Sequence, residues 1–254
     1  MKQLKKTLET KRRFAIVLEY DGLGFNGWQR QANGYTVQTE IERAIWQGFK
    51  EQTIVLGASR TDAGVHAKGQ VAAFNLNYNI KPEQLVLALN SFLKRKVRVL
   101  KAYLVPLNWN PRKEAQAKIY EYLVLARSIA SPLWYQRAWQ VYYTLDLIAM
   151  QRAAKYLVGK HDFSAFRAAG CNAKHAVRKL LDIKIIRQTG LLKFKLKGEA
   201  FVYHMVRNIV GTLVEIGKHK ISPPAIKQIL LSKERKLAGP TAPAYGLYLN
   251  KIIF

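Results

Sequence analysis

One cysteine, Cys171, stands in 254 residues. That excludes an internal disulfide and any Cys-rich zinc site, and it fits a reducing compartment. Histidine is scarce too. His66, His161, His175, His204 and His219 form no His-x-x-x-His pair, and no His-x-Glu precedes a cysteine pair. The zinc-deaminase pattern is therefore missing, as is the Gly-x-Ser-x-Gly elbow of many serine hydrolases. No apolar run approaches the roughly 20 residues of a membrane-spanning helix. The opening "MKQLKKTLETKRRF" lacks the apolar core of a secretory signal. Glu9 and the short distance to the first strand argue for a basic arm rather than an organelle-targeting peptide. Acidic side chains are the most telling shortage. Asp and Glu number 16 against 42 Lys and Arg, a formal net charge of +26. A chain this basic calls for a polyanionic partner, nucleic acid before an anionic membrane.

What is present is a coarse repeat. "RFAIVLEY" alternates as a strand, and "TVQTEIERAIWQGF" carries Val37, Ile41, Ala44, Ile45 and Phe49 on one helical face. "TIVLGAS" and "GQVAAFNL" read as two strands, "KPEQLVLALNSFL" as a helix started by Pro82, and "VRVLKAYLV" as a strand. The order is βαββαβ, the ferredoxin-like arrangement. A similar set follows. "AKIYEYLVLA" is a strand and "TLDLIAMQRAAKYLVG" a helix. "LLDIKIIRQTG" and "LLKFKLKGEA" form a hairpin around Thr189 and Gly190. "AFVYHMVRNIVGTLVEIG" and "SPPAIKQILLS" are helices, and "GLYLNKIIF" ends as a strand. The expectation is an α+β protein: a basic arm at 1–12, one α+β domain at 13–108 and a second at 109–254. The two ferredoxin-like (RRM-like) halves, each with an antiparallel sheet, would flank a basic cleft. "PLNWNPRKEA", Pro106 to Ala115, is the joint.

Two glycine patterns mislead. Gly22-x-Gly24-x-x-Gly27 has dinucleotide-fingerprint spacing, but no helix begins at the glycines and the next strand ends without an acid for a ribose. A tight loop is expected, with Trp28, Gln29 and Arg30 available to meet nucleic acid. Gly64-x-x-x-x-Gly69 is followed by Gln70 and Val71, so it is no P-loop.

Between Glu51 and Glu83 the only acid is Asp62, in "SRTDAGVHAKG". It could close an Asx-turn. It could also be a reactive carboxylate. Ala63 and Gly64 leave room for another molecule, Arg60 and His66 flank the acid, and a nearby arginine favours the ionised form. Such a group suits nucleophilic attack or proton abstraction on bound nucleic acid. On the helix after Ala200, Phe201, Met205, Ile209 and Leu213 form one apolar row, and Val202, Val206, Val210 and Val214 the next. His204, Arg207, Asn208 and Gly211 share the opposite stripe. Arg207 is either a surface cation or, if buried, a group needing an anion such as Asp62. Tyr120 and Tyr122 share one strand face, fit for cross-strand packing or for stacking on an extruded base.

Taken together, "YDGLGFNGWQRQ", "GASRTDAGVHAKGQVAAF", "AKIYEYLV", "DFSAFRAAGC", "FVYHMVRNIVGTLVEIG" and "TAPAYGLYL" resemble the tRNA pseudouridine synthase A (TruA) family, in family order from about Arg13 to the C-terminus. The resemblance implies the pseudouridine synthase fold and an isomerase converting uridine to pseudouridine at positions 38, 39 and 40 of the tRNA anticodon arm. It implies Asp62 as the catalytic aspartate and Arg60 as the residue placing the flipped nucleotide. Tyr120 would stack on the base, Arg207 would pair with Asp62, and Leu247 would line the pocket. It further implies no metal or cofactor, a homodimer, no membrane, and a bacterial-type cytoplasm, with an organelle as the alternative. Three places depart from the family pattern: Ile119, the Lys94-Arg95-Lys96 run, and "CNAKHAVR". The first bears on local tRNA contacts, and the other two suggest stronger or altered backbone binding.

Overall fold

The alternation after Lys11 becomes strand β1, Arg12–Tyr20. The computed structural model describes residues 11–171, 173–188 and 190–254; nearly all of the expected basic arm, Asn172 and Thr189 lie outside the described residues. The chain divides into two units after Ala115.

In the first unit β1 is followed by α1 (Val37–Phe49), β2 (Leu56–Gly57), β3 (His66–Leu76), α2 (Pro82–Phe92) and β4 (Val97–Val105). The strands lie in the order β4-β1-β3-β2, and every pair is antiparallel. This is the βαββαβ ferredoxin-like arrangement that the periodicity called for. β2 is shorter than "TIVLGAS" suggests. It pairs with β3 only at Leu56 and Gly57. Past Ala58 its hydrogen bonds pass to a side chain, with the Ser59 amide donating to Gln70 Oε1 at 3.3 Å. A strand whose ladder is taken over by a side chain becomes a loop.

Helix α1 starts where it does because Thr36 and Thr39 form a reciprocal capping box, which satisfies otherwise orphaned amides. Its buried face is Val37, Ile41, Ala44 and Ile45. Phe49 is only half-buried and packs edge-on against Tyr78. One acid shares the buried side. Glu40 is fully buried and accepts from Arg43 at 2.9 and 2.7 Å, from the Lys94 amide at 2.8 Å and from the Tyr35 hydroxyl. Burial alone pushes its pKa up. Those donors outweigh burial and hold the carboxyl below its ordinary 4.5.

The second unit, Gln116–Phe254, contains β5 (Ala117–Ala126), β6 (Trp139–Val141), α3 (Leu147–Lys155), β7 (Gly159–Asp162), β8 (Val177–Gln188), β9 (Leu191–Gly198), α4 (Met205–Gly217), α5 (Ala225–Ser232) and β10 (Leu247–Ile253). Its main run is β10-β5-β9-β8-β7, every pair antiparallel, and β6 pairs in parallel with β5 off that run. Within that run β10-β5-β9-β8 repeats the first unit's order, with β5 in the place of β1. The repeat read from the sequence is thus a repeat of topology. The short strands β6 and β7 are additions, too brief for alternation to reveal them.

Helix α4 corrects two expectations. It begins at Met205, not Ala200, because His204 sits in the left-handed region at φ 60°. Phe201 and Val202 therefore precede the helix. Its polar stripe is also not a free face, since Asn208 and Gly211 are buried. The segment after α5 lies over them. Arg235 and the Thr241 hydroxyl donate to Asn208 Oδ1 at 3.1 and 2.6 Å, and the Gly239 amide donates to the Thr212 hydroxyl at 2.9 Å. A Cβ on Gly211 would stand 1.7 Å from the Pro240 carbonyl oxygen.

Two outcomes follow from this packing. Gly211→Ala is expected to destabilise the fold by roughly 3 kcal/mol through forced overpacking, read as a lower thermal midpoint; an unchanged midpoint would refute the close approach. Glu40 has a depressed folded-state pKa, so its stabilisation is full above the unfolded-state value and fades as pH falls through the lower, folded-state one. Urea unfolding across that acidic window should show stability dropping in the wild type. Glu40→Gln should be less stable at neutral pH by about 1–3 kcal/mol and flatter across the window.

Candidate functional site

Asp62 stands in the loop between β2 and β3, and that loop is held at both ends. At its start the fully buried Gln70 donates to the Ser59 carbonyl at 2.7 Å and accepts from the Ser59 and Val71 amides. In the middle, the buried Thr61 hydroxyl shares a 2.8 Å hydrogen bond with the Tyr20 hydroxyl, and the Thr61 carbonyl accepts from the Trp28 amide at 3.1 Å. The tip closes as a main-chain turn. The Val65 amide donates to the Asp62 carbonyl at 3.1 Å, with Gly64 at φ +77°. A positive φ in the third turn position is where glycine is required. Asp62 is left half-buried, between a buried Thr61 and an exposed Ala63, and Arg60 is exposed.

The false dinucleotide fingerprint is the seat of this loop. A Cβ on Gly22 would meet the Val65 carbonyl oxygen at 2.0 Å, and one on Gly27, at φ +84°, would meet the Thr61 carbonyl oxygen at 2.5 Å. Only glycine lets the two backbones touch there. Trp28 corrects an expectation. It is fully buried, its indole seats against Gly57, and it cannot stack on nucleic acid. Arg30 likewise spends its charge on Glu42. His66 does not flank Asp62 from the outside. It is buried, with Nδ1 at 3.2 Å from both the Gly22 amide and the Asp21 carboxylate.

The departures from the family pattern are partly explained by this seat. Lys96 Nζ donates to the Leu23 carbonyl at 2.7 Å, Lys94 Nζ lies 4.6 Å over the Tyr35 ring, and Arg98 caps the end of α2 through the Leu93 and Lys94 carbonyls. Lys94 and Lys96 thus brace the glycine loop and α1, and are not simply available to a nucleic-acid backbone. Two residues escaped the sequence reading. Gln70 could have been found as a polar residue at a buried position of an apolar strand. Arg112 donates to the Gly57 carbonyl at 3.0 Å, and nothing in "NPRKEA" marks it.

The second unit gathers three of the remaining candidates. Arg207 Nε donates to the Ala242 carbonyl at 2.7 Å, the Ala242 amide donates back to the Arg207 carbonyl at 3.2 Å, and His204 Nε2 lies 3.0 Å from the guanidinium. The buried Tyr122 hydroxyl donates to the neighbouring Pro243 carbonyl at 2.7 Å. Burial, then the charge of Tyr245, raises its pKa well above normal, and Arg207 opposes that shift. Tyr122 pairs across strands with Leu247, and Tyr120 with Leu249. Tyr120 is buried and meets Phe201 edge-on at 5.1 Å. Arg207, Tyr122 and Leu247 therefore meet at the Ala242–Leu247 turn, Tyr120 lies on the same strand against Phe201 and Leu249, and Arg60 and Asp62 share the loop of the first unit.

The sequence profile described as tRNA pseudouridine synthase matches residues 16–112 and 153–254. The chain belongs to the tRNA pseudouridine synthase family. It is accordingly an isomerase of uridine in tRNA. Similar proteins match over nearly their whole length. The tRNA pseudouridine synthase A of Acetivibrio thermocellus is 44% identical over 243 residues, covering 96% of this chain and 100% of that one. That of Myxococcus xanthus is 42% identical, covering 95% and 92%. That of Thermoanaerobacter sp. (strain X514) is 42% identical, covering 96% and 100%.

For this tRNA pseudouridine synthase, the glycine seat makes a sharp contrast. Gly22→Ala should push the Asp62 loop aside and cut pseudouridine formation on the order of a hundredfold. Gly24→Ala is strained by its φ of +83°, but its Cβ would meet only Lys96 Nζ at 3.5 Å and no backbone of the Asp62 loop, so it should lose far less. Single-turnover rates on tRNA distinguish the two; equal rates would show that the seat does not position the loop.

Proposed function

We propose that this enzyme isomerises uridine at positions 38, 39 and 40 of the tRNA anticodon arm, with Asp62 as the catalytic aspartate. The observation that carries this reading is the loop itself: a carboxylate at the tip of a turn locked by Gln70, Thr61 and two backbone-contacting glycines. A fixed carboxylate loses little orientational freedom when a substrate arrives. In this reading Arg60 places the flipped nucleotide and Tyr120 stacks on the uracil. Arg207 supplies the counter-charge to Asp62, and Leu247 lines the pocket.

The chemistry needs little else. The N1–C1′ bond breaks, the uracil turns within the pocket, and C5 bonds to C1′. C5 loses its proton and N1 gains one, so no water enters and no redox change occurs. Glycosidases that pass the sugar to water use two carboxylates. Here the uracil leaves as a stabilised anion and is retained, so one carboxylate suffices. Attack on C1′, addition to C6 and removal of the 2′ proton are the three first steps open to Asp62. Extruding the uridine costs a few kcal/mol, which contacts between cations and phosphates offset. The family resemblance further supports work as a homodimer whose tRNA spans both subunits. The bacterial relatives support a cytoplasmic setting.

Asp62→Ala should abolish pseudouridine formation, followed by mass mapping of carbodiimide-labelled anticodon-arm RNA, while RNA affinity stays within a few-fold of wild type. A variant that still makes pseudouridine at a comparable rate would remove Asp62 from the role. Product at uridines outside 38–40 would revise the site assignment.

A further inference from the structure

Arg112 and Arg60 stand beside the Asp62 loop, and among the described residues no acid forms an ion pair with either. Arg112 lies in the segment after β4 and is exposed at the surface, yet it is not loose. Its Nε donates to the Gly57 carbonyl at 3.0 Å, one terminal nitrogen lies 3.4 Å from Gln29 Oε1, and its own amide donates to Asn110 Oδ1 at 3.0 Å. The guanidinium is thus pinned from the inner side and presents its outer edge to solvent. Packing of its inner part lowers its pKa first, and the positive charge of Arg60 lowers it further. Arg60 follows Gly57, the anchor of Arg112, by three residues, so the two cations stand at the same end of β2. Among the described residues neither makes an ion pair.

Two like charges with no ion-pair partner among the described residues are unfavourable in the free protein. They are relieved when an anion binds between them, so the arrangement favours the liganded state. The planar fork of arginine matches the two non-bridging oxygens of a phosphodiester. Gly57, which anchors Arg112, closes β2 immediately before the Asp62 loop. A phosphate held there would lie beside the nucleotide presented to that loop.

We propose that Arg112, with Arg60, binds one backbone phosphate of the RNA substrate next to the target nucleotide, Arg112 being the fixed arm and a positioning residue. This rests on the tRNA reading of the Asp62 loop. No bond to Arg112 forms or breaks in the reaction.

The test uses the full chain and an anticodon-arm RNA hairpin with cytidine at positions 38–40, so that no turnover occurs. Binding is measured across a salt series for wild type, Arg112→Gln and Arg112→Lys. The glutamine variant should reduce the slope of log affinity against log salt by about one, and the lysine variant should keep it. A second series replaces single phosphates with neutral methylphosphonate. One linkage should weaken wild-type binding by about tenfold and leave Arg112→Gln unaffected. A merely structural role for Arg112 would change neither the salt slope nor the response to one linkage. An unchanged slope in Arg112→Gln, or an equal response of both proteins at every linkage, overturns the proposal. Failure of the tRNA reading would show separately, as wild-type protein making no pseudouridine on the uridine-bearing hairpin.

Discussion

Contact of backbone on backbone between the Asp21–Trp28 loop and the Asp62 loop is the constraint on which the first unit's site depends. At Gly22 and Gly27 there is no room for a single carbon between the two chains. Hydrogen bonds then fix the relative position, with the Trp28 amide on the Thr61 carbonyl and the Gly64 amide on the Phe25 carbonyl. Side-chain packing alone would leave a surface loop free to shift, because loops carry few buried contacts. Here main-chain atoms do the holding, so the position of Asp62 is set by the backbone.

The scarcity of acids takes on meaning at the same place. Of the few carboxylates in the first unit, Glu40 is consumed by Arg43, Tyr35 and Lys94. Glu42 takes the Gln38 side chain, the Val55 amide and Arg30. Glu51 takes the amide and side chain of Asn77. These acids hold helix, loop and strand together and neutralise few of the surface cations. The positive charge is therefore left to face a polyanion, and Asp62 stands at the tip of a loop. Net charge attracts RNA without choosing a nucleotide.

Much of the fold was legible because each half repeats one amphipathic program. Periods of two and 3.6 survive in "RFAIVLEY", "TVQTEIERAIWQGF" and "AKIYEYLVLA", and the strands and helices fall there. Errors arose where local pattern and tertiary context parted. Trp28 beside Arg30 looked like a nucleic-acid platform, but an indole this large is a core residue once Gly57 makes space for it. The helix of "AFVYHMVRNIVG" looked longer because apolar spacing continues through Phe201 and Val202, while the backbone of His204 turns the other way. Asn208 and Gly211 looked like a polar stripe, since the segment that covers them lies some thirty residues on (Arg235–Ala242).

By itself the sequence determined the α+β class, the doubled βαββαβ order, the polyanionic partner and the isolation of Asp62 among cations, because these follow from composition and short-range periodicity. Only the tertiary structure decided what the glycines of "DGLGFNG" are for, that Gln70 and Arg112 tie into Ser59 and Gly57 ahead of Asp62, and that Arg207, Tyr122 and Leu247 meet at one turn. Those facts rest on contacts between residues far apart in the chain, where atoms meet at distances that no local spacing encodes.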